Sequence, residues 1–226
     1  MTISNDKLVE VTQFSNSVEI VGYRTPASLQ SSRSKRAQTA QLTEAFARDT
    51  DRIFLGDVSV EIEWLVNDEE RYLGDAPDVD NIVKPILDAM CGPEGILVDD
   101  VQVQQIDVRW MGGWNPATGP RYQYCVRITP VTGEFIWREG LTFVQVGVDK
   151  KVCYAVPCQP GLDAKMQEQF TARFAHQAHQ GWQELWLRSR GVSAIPFLPR
   201  RVHNFPVRDI SEIPLPDGWE SSLGEG

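Results

Sequence analysis

Cysteine, histidine and excess positive charge are all scarce in this chain of 226 residues, and each scarcity narrows its function. The four cysteines, Cys91, Cys125, Cys153 and Cys158, are scattered. Cys153 and Cys158 stand closest, but no second pair follows them, so they read as buried thiols. There are three histidines. His176 and His179 are three apart on a predicted helix, with no cysteine or carboxylate partner at ligand spacing, and read as an ordinary helix face. No apolar run approaches the length of a membrane span. The N-terminus, MTISNDKLVEVTQ, has no basic region followed by an apolar stretch, so no secretory signal is expected and reduced thiols in a cytoplasmic protein are. The formal charge is −9, which argues against tight non-specific nucleic-acid binding but leaves room for a local basic groove. Basic residues are grouped at Arg33, Lys35 and Arg36 and again at Arg200 and Arg201. Hydrophobic residues make up 42% and charged residues 23%, a composition able to bury a real core.

The pattern along the chain is that of an α+β protein. Residues 1–16 are polar and expected to fray. Ser17 to Tyr23 alternates as a strand. Thr25 to Arg36 reads as a loop, or a loop running into a helix that covers Ala37 to Arg52. Asp57 to Val66 alternates strongly, with Val58, Val60, Ile62 and Trp64 on one face, as a half-buried strand. Asn67 to Pro77 is a polar loop. A helix follows from about Asn81 to Met90, with Asp80 or Asn81 as its N-cap and Pro85 near its first turn. Cys91 to Gly95 stops it. Val101 to Trp110 is a strand, Met111 to Pro120 a turn, and Tyr122 to Ile128 a strand returning antiparallel. The order suits a mixed sheet with flanking helices over 17–130. Pro130 to Gly133 reads as a boundary, and 131–226 as a smaller α+β extension. There a hairpin around Asp149 and Lys150 precedes a helix from Asp163 to Arg190. Trp182 and Trp186 on that helix read as core or partner surface. A tail with five prolines between Pro196 and Pro216 packs as extended segments or docks on a partner.

The densest chemistry lies between Asp78 and Asp100. Asp78 and Asp80 are two apart, so in an extended segment both side chains leave one face. Asp80, Lys84 and Asp88 are spaced by four and stack on one face of a helix. Asp99 and Asp100 stand where a strand begins. If that strand neighbours the one before the helix, its carboxylates approach Asp78 and Asp80. Like charges so placed repel unless a cation sits among them. Carboxylates with one lysine suit a hard divalent cation and a phosphate, which points to metal-assisted phosphodiester chemistry. A lone D-x-D is better read as a cap and solvated surface. The ordered combination D-x-D-N-x-x-K-x-x-x-D, with D-D-x-Q-V downstream, is far more specific.

Asp78-Val-Asp80-Asn81-Ile-Val-Lys84-Pro-Ile-Leu-Asp88-Ala, followed by Gly95-Ile-Leu-Val-Asp99-Asp100-Val-Gln102-Val103, resembles the RusA family of Holliday-junction resolvases. Val18 to Ser28 resembles that family's first strand and loop. The likeness spans roughly 17–130, and the extension after Pro130 has no counterpart in the minimal family. The resemblance implies a homodimeric, Mg²⁺-dependent endonuclease, with Mn²⁺ as a substitute, that makes paired nicks across a four-way DNA junction in recombination and repair. It places the essential carboxylates on Asp78, Asp80 and Asp100 and the essential lysine on Lys84. Asp88 then orients Lys84, and Asp99 is a further metal ligand or a turn residue. Arg33, Lys35 and Arg36 are candidate phosphate contacts, which fix register without reading sequence. Two alternatives stand beside this reading. One is a non-catalytic branched-DNA-binding or assembly module with a protein partner on 131–226. The other is a nuclease acting on flaps, forks or invading DNA.

Overall fold

The computed structural model describes residues 8–28, 30, 32–66, 68–74, 78–112, 122–132, 135–147, 151–159, 161–179 and 196–216. In chain order the strands are β1 (Val9–Gln13), β2 (Val18–Gly22), β3 (Arg52–Phe54), β4 (Val58–Leu65), β5 (Val103–Met111), β6 (Tyr124–Pro130), β7 (Phe135–Trp137), β8 (Thr142–Val146), β9 (Val152–Val156) and β10 (Val207–Asp209). The helices are α1 (Ser32–Asp49), α2 (Asp68–Tyr72), α3 (Val79–Met90) and α4 (Ala164–His179). The fold is α+β with mixed sheets.

The main sheet has the order β1-β2-β6-β4-β5. Alternation in β4 buries Val58, Val60, Ile62 and Trp64, as their spacing requires. Helices α1 and α3 pack together over that apolar face. α1 contributes Gln38, Leu42, Ala45 and Phe46, and α3 contributes Ile82, Pro85, Ile86, Ala89 and Met90. Both sets follow the three-and-four spacing of one helix face. The opposite face of the sheet carries Glu19, Glu61, Glu63 and Asp107. Glu61 and Asp107 are direct neighbours across β4 and β5, and Arg127 and Arg109 relieve the repulsion. Arg127 reaches Glu19 at 3.1 Å and Glu61 at 3.6 Å, and Arg109 reaches Asp107 at 2.8 Å. Part of the chain's acidity therefore sits behind the sheet, away from α3. Gly22 in β2 is required by its neighbour. A Cβ there would stand 1.9 Å from the Tyr124 ring that lies across it.

Several local expectations are corrected. The N-terminus does not fray through residue 15. Val9 and Val11 alternate into the core, and β1 closes the sheet edge against β2. The polar flanks conceal that short alternation. Residues 68–72 form the short helix α2 within the expected loop. Helix α1 starts at Ser32 and ends at Asp49, so Arg33, Lys35 and Arg36 lie in its opening turns, and Arg52 instead begins β3. Helix α3 begins at Val79 with Asp78 as its N-cap, which places Pro85 beyond the first turn. β6 is not the hairpin partner of β5. It lies between β2 and β4, antiparallel to both, while β5 pairs with β4 in parallel. A parallel neighbour needs a crossover, and α2 and α3 supply it.

In the extension, β8 and β9 form the expected antiparallel pair, and β10 adds to β8 in parallel. The tail thus packs partly as an extended segment, with 3-10 turns at Pro199–Arg201 and Ile210–Glu212. The hairpin tip at 148–150, the turn residues 113–120, the helix beyond His179 and both Trp182 and Trp186 lie outside the described residues. His176 Nε2 lies 3.2 Å from the Ile213 carbonyl, which ties α4 to the tail. Cys153 is buried as expected, Cys158 is only half-buried, and all four thiols are free. The extension shares buried surface with the first sheet's domain. β7 pairs with β3, and Phe135 stacks on Phe54 with ring centroids 4.1 Å apart. Ile53, Leu55 and Val98 form one cluster with Leu141, Phe143, Cys153, Phe197, Val202 and Phe205.

Candidate active site

The site is built on the second half of α3 and the turn before β5. Asp99 and Asp100 do not open the strand. Asp99 caps a 3-10 turn over Asp100–Gln102, accepting the Val101 N–H at Oδ1 at 3.0 Å. Gln102 locks this turn from beneath. It is 1% exposed. Its Oε1 accepts from the N–H groups of Val98 at 2.7 Å and Asp99 at 3.1 Å. Its Nε2 donates to the carbonyls of Phe54 at 2.8 Å and Gly56 at 2.9 Å. A buried amide with all these partners met is a rigid support. Gln102 lies within the sequence motif, but its spacing there assigns it no role.

Above the turn runs a chain of alternating charges. Lys35 Nζ lies 2.8 Å from Asp88 Oδ2, and Asp88 Oδ1 lies 2.8 Å from Lys84 Nζ. Lys84 Nζ lies 2.6 Å from Asp100 Oδ2, and Asp100 Oδ1 lies 3.6 Å from Arg201 Nη1. Arg201 Nη1 also pairs with Asp99 Oδ1. Three cations and three carboxylates alternate, so the row is balanced. The hydrogen bond from Lys84, with help from Arg201 nearby, outweighs burial and holds Asp100 below the ordinary carboxylate range. Burial opposes the charge on Asp88, but hydrogen bonds from Lys35 and Lys84 overcome it and lower its pKa. The same contacts, that to Asp100 foremost, raise Lys84 above the ordinary lysine range. Cys91 is pushed up to about 12 by burial, reinforced by the charges of Asp100 and Asp99. Its thiol donates to the Leu87 carbonyl at 3.2 Å and stays protonated.

Asp78 and Asp80 are exposed at the other end of α3. Asp78 makes no side-chain capping bond. The sheet explains the separation. β4 and β5 run parallel with Val58 opposite Val103, so the turn before β5 returns beside the start of β4. α3 follows the end of β4 and must run back, and the turn meets it at Lys84. At ~1.5 Å per residue, Asp80 stands about 6 Å and Asp78 about 9 Å up the axis from Lys84. Among the described residues no group of three or more His, Cys, Asp and Glu side chains is gathered so as to hold a metal. The donor chemistry nonetheless fits a hard divalent cation, since Asp78, Asp80 and Asp100 offer carboxylate oxygens and the Cys91 thiol nearby is protonated.

Of the expected phosphate contacts, Arg33 and Arg36 are exposed on α1, whereas Lys35 is drawn into the charge row by Asp88. Arg201 is legible in the sequence only as half of a basic pair near the C-terminus. Nothing in its local sequence connects it to Asp99, 102 positions away.

An α+β domain with an acid–lysine row at a helix face and a capped acidic turn is the frame for a nuclease. Residues 13–121 match the family model described as Endodeoxyribonuclease RusA, so this stretch of the chain is similar to that family. The family comprises endodeoxyribonucleases that resolve Holliday junctions, act on branched DNA and generally depend on a divalent metal. No curated protein matches the chain. No helix among the described residues is long and apolar enough to cross a membrane.

Proposed function

We propose that this protein is a Mg²⁺-dependent resolvase that cuts four-way DNA junctions by paired nicks, as a homodimer, in recombination and repair, with Mn²⁺ able to replace Mg²⁺. The observation that carries this reading is the contact between Lys84 and Asp100, two of the motif positions, within a domain similar to the RusA family. Asp78, Asp80 and Asp100 would hold the metal. Once bound, the cation supplies an activated water and polarises the scissile phosphate. Asp100, which accepts from Lys84 here, would offer its carboxylate to the metal. The Lys84 ammonium, tethered by Asp88, would stand where phosphate charge develops. Arg33 and Arg36 grip phosphates on the flank and set the register of the duplex arm. Lys35 keeps Asp88 ionised and oriented.

The test is a cleavage panel of four-way junction, fork, flap and linear duplex, with Mg²⁺, Mn²⁺, Ca²⁺ or chelator. Symmetric nicks in the junction, lost in Asp80→Asn and Asp100→Asn, support the proposal. Intact junctions that are nonetheless bound overturn the enzyme reading. Preferential cutting of forks or flaps keeps the nuclease and changes its target. A second reading, a branched-DNA-binding module without catalysis, draws on the engagement of Asp100 by Lys84 and of Asp99 by Arg201. It predicts that Asp100→Asn leaves every measurable property of the junction complex unchanged.

A further inference from the structure

Arg201 lies 80 residues beyond the last residue matched to the family model, yet it meets the acidic turn of the site. It is held there from both sides. Phe197 is 1% exposed and exchanges backbone hydrogen bonds with Cys153 at 2.8 and 2.9 Å. Val202, the next residue after Arg201, is fully buried. Phe143 meets Phe197 and Phe205 edge-on, with centroids 5.9 and 5.0 Å apart. Across the ion pair, Val98, the residue before Asp99, is buried in that same cluster. One hydrophobic cluster therefore fixes the backbone on both sides of the Arg201–Asp99 contact. That anchoring already brings the two segments together, so the contact costs the rotamer freedom of the side chains and no further closure of the chain.

The contact acts on Asp100 through the turn. Asp99 Oδ1 receives both Arg201 and the Val101 N–H that closes the turn. Arg201 also stands 3.6 Å from Asp100 Oδ1. Two adjacent carboxylates on a tight turn repel, and one guanidinium nitrogen, Nη1, paired with Asp99 and 3.6 Å from Asp100, offsets that repulsion.

We propose that Arg201 is a positioning residue of the nuclease site, a strut by which the C-terminal extension sets the Asp99–Asp100 turn and so completes a site the family domain does not complete alone in this chain. The inference rests on reading that turn as part of the nuclease site. Partners that position metal ligands typically contribute ten- to a hundredfold to metal affinity or activity. Arg201→Ala is therefore expected to weaken Mn²⁺ binding and to lower kcat on a four-way junction, each by about tenfold, with junction affinity unchanged within about twofold.

The experiment measures, on the full-length protein, Mn²⁺ affinity by electron paramagnetic resonance without DNA, junction affinity by gel shift in Ca²⁺, and single-turnover cleavage. The variants are Arg201→Ala, Arg201→Lys, Asp99→Asn and the Arg201→Ala/Asp99→Asn pair, each checked for its thermal midpoint. Support is a fall in Mn²⁺ affinity and kcat in Arg201→Ala that is no greater in the double variant, with partial recovery in Arg201→Lys. If Arg201→Ala does not fold, Arg201→Lys carries the comparison, because it keeps the charge and loses the planar guanidinium. The strut is overturned if Arg201→Ala leaves both quantities within twofold of wild type, if Mn²⁺ binds more tightly, or if junction affinity alone falls. The last outcome would make Arg201 a phosphate contact. A wild-type protein that neither binds Mn²⁺ nor cleaves junctions sinks the reading of the site itself, which separates the two failures.

Discussion

Lys84 Nζ lies 2.6 Å from Asp100 Oδ2 and 2.8 Å from Asp88 Oδ1, so one ammonium joins a helix to the turn that precedes the edge strand β5. The Asp88 contact is local, one helical turn along α3. The Asp100 contact exists because β5 returns parallel to β4. Lys84 is thus placed by helix periodicity and by sheet topology together, and several consequences can be measured.

Replacing Lys84 by methionine keeps the length and apolar stem and removes the charge. Junction cleavage should fall by about 10²–10³-fold, the usual cost of one preorganised electrostatic stabiliser, while junction binding changes by less than about threefold. Single-turnover kinetics beside a gel shift make the comparison. A loss of binding equal to the loss of rate would mean that Lys84 grips DNA instead.

Gln102→Leu keeps the volume and strips four hydrogen bonds from the backbone of Val98, Asp99, Phe54 and Gly56. Buried groups left without partners cost ~1–3 kcal/mol each when they stay dry. A total loss of at least about 4 kcal/mol is expected from the four groups, read as a lower urea midpoint at unchanged slope. Cleavage should fall as well, since this amide supports the turn that bears Asp100.

Stability should respond to acid more than to mild base. Folded Asp88 and Asp100 titrate below the ordinary carboxylate range. Their contribution is complete above the unfolded value of about 4 and is lost as the pH falls through their lower folded values. Lys84 is raised, so its contribution is complete below about pH 10.4 and is lost only as the pH rises through its folded value. From these groups the unfolding free energy is flat between about pH 5 and 9 and declines below about pH 4. Asp88→Asn should make the acid decline shallower, by less than about 1 kcal/mol because the pair is part-exposed. Denaturant titrations at pH 6 and pH 3 provide the check.

Arg33→Ala together with Arg36→Ala should weaken junction binding and reduce the slope of log affinity against log salt by about 2 per protomer, about 4 for the homodimer, one for each phosphate that is no longer neutralised. Lys35→Ala should leave that slope alone and lower kcat, because its ammonium is committed to Asp88 at 2.8 Å. A salt series by fluorescence anisotropy distinguishes them.

Removal of everything after residue 132 would expose Ile53, Leu55 and Val98, which are buried against the extension, and would strip β3 of its partner β7. The shortened chain should bind a hydrophobic dye and aggregate. Phe135→Ala in the full chain should cost about 3 kcal/mol, the usual range for a buried phenylalanine. A monomeric, cooperatively folding fragment 1–132 would show that the extension is dispensable to the fold.

The amino-acid sequence alone determined whatever depends on short spacing. The two-residue alternation of Val58, Val60, Ile62 and Trp64 specified β4, and the spacing of Ile82, Val83, Ile86, Leu87 and Met90 specified the apolar face of α3, of which Val83 and Leu87 are only partly buried. The same spacing put Lys84 beside Asp88. The order of acids and lysine between Asp78 and Asp100 marked the family. Where periodicity was short or masked by polar neighbours, as in β1 and α2, it did not suffice.

Only the tertiary structure decided what meets across the chain. It inserted β6 between β2 and β4 and made β5 a parallel neighbour of β4, which brought Asp100 to Lys84 and left Asp78 and Asp80 further up the helix. It put Glu61, Glu63 and Asp107 on the far side of the sheet, so the net negative charge does not fall wholly on the site. It carried Arg201 to Asp99. The physical reason is the same in each case. Local propensity and periodicity are written in neighbouring residues, whereas strand order and ion pairs between distant residues follow from burying one shared core.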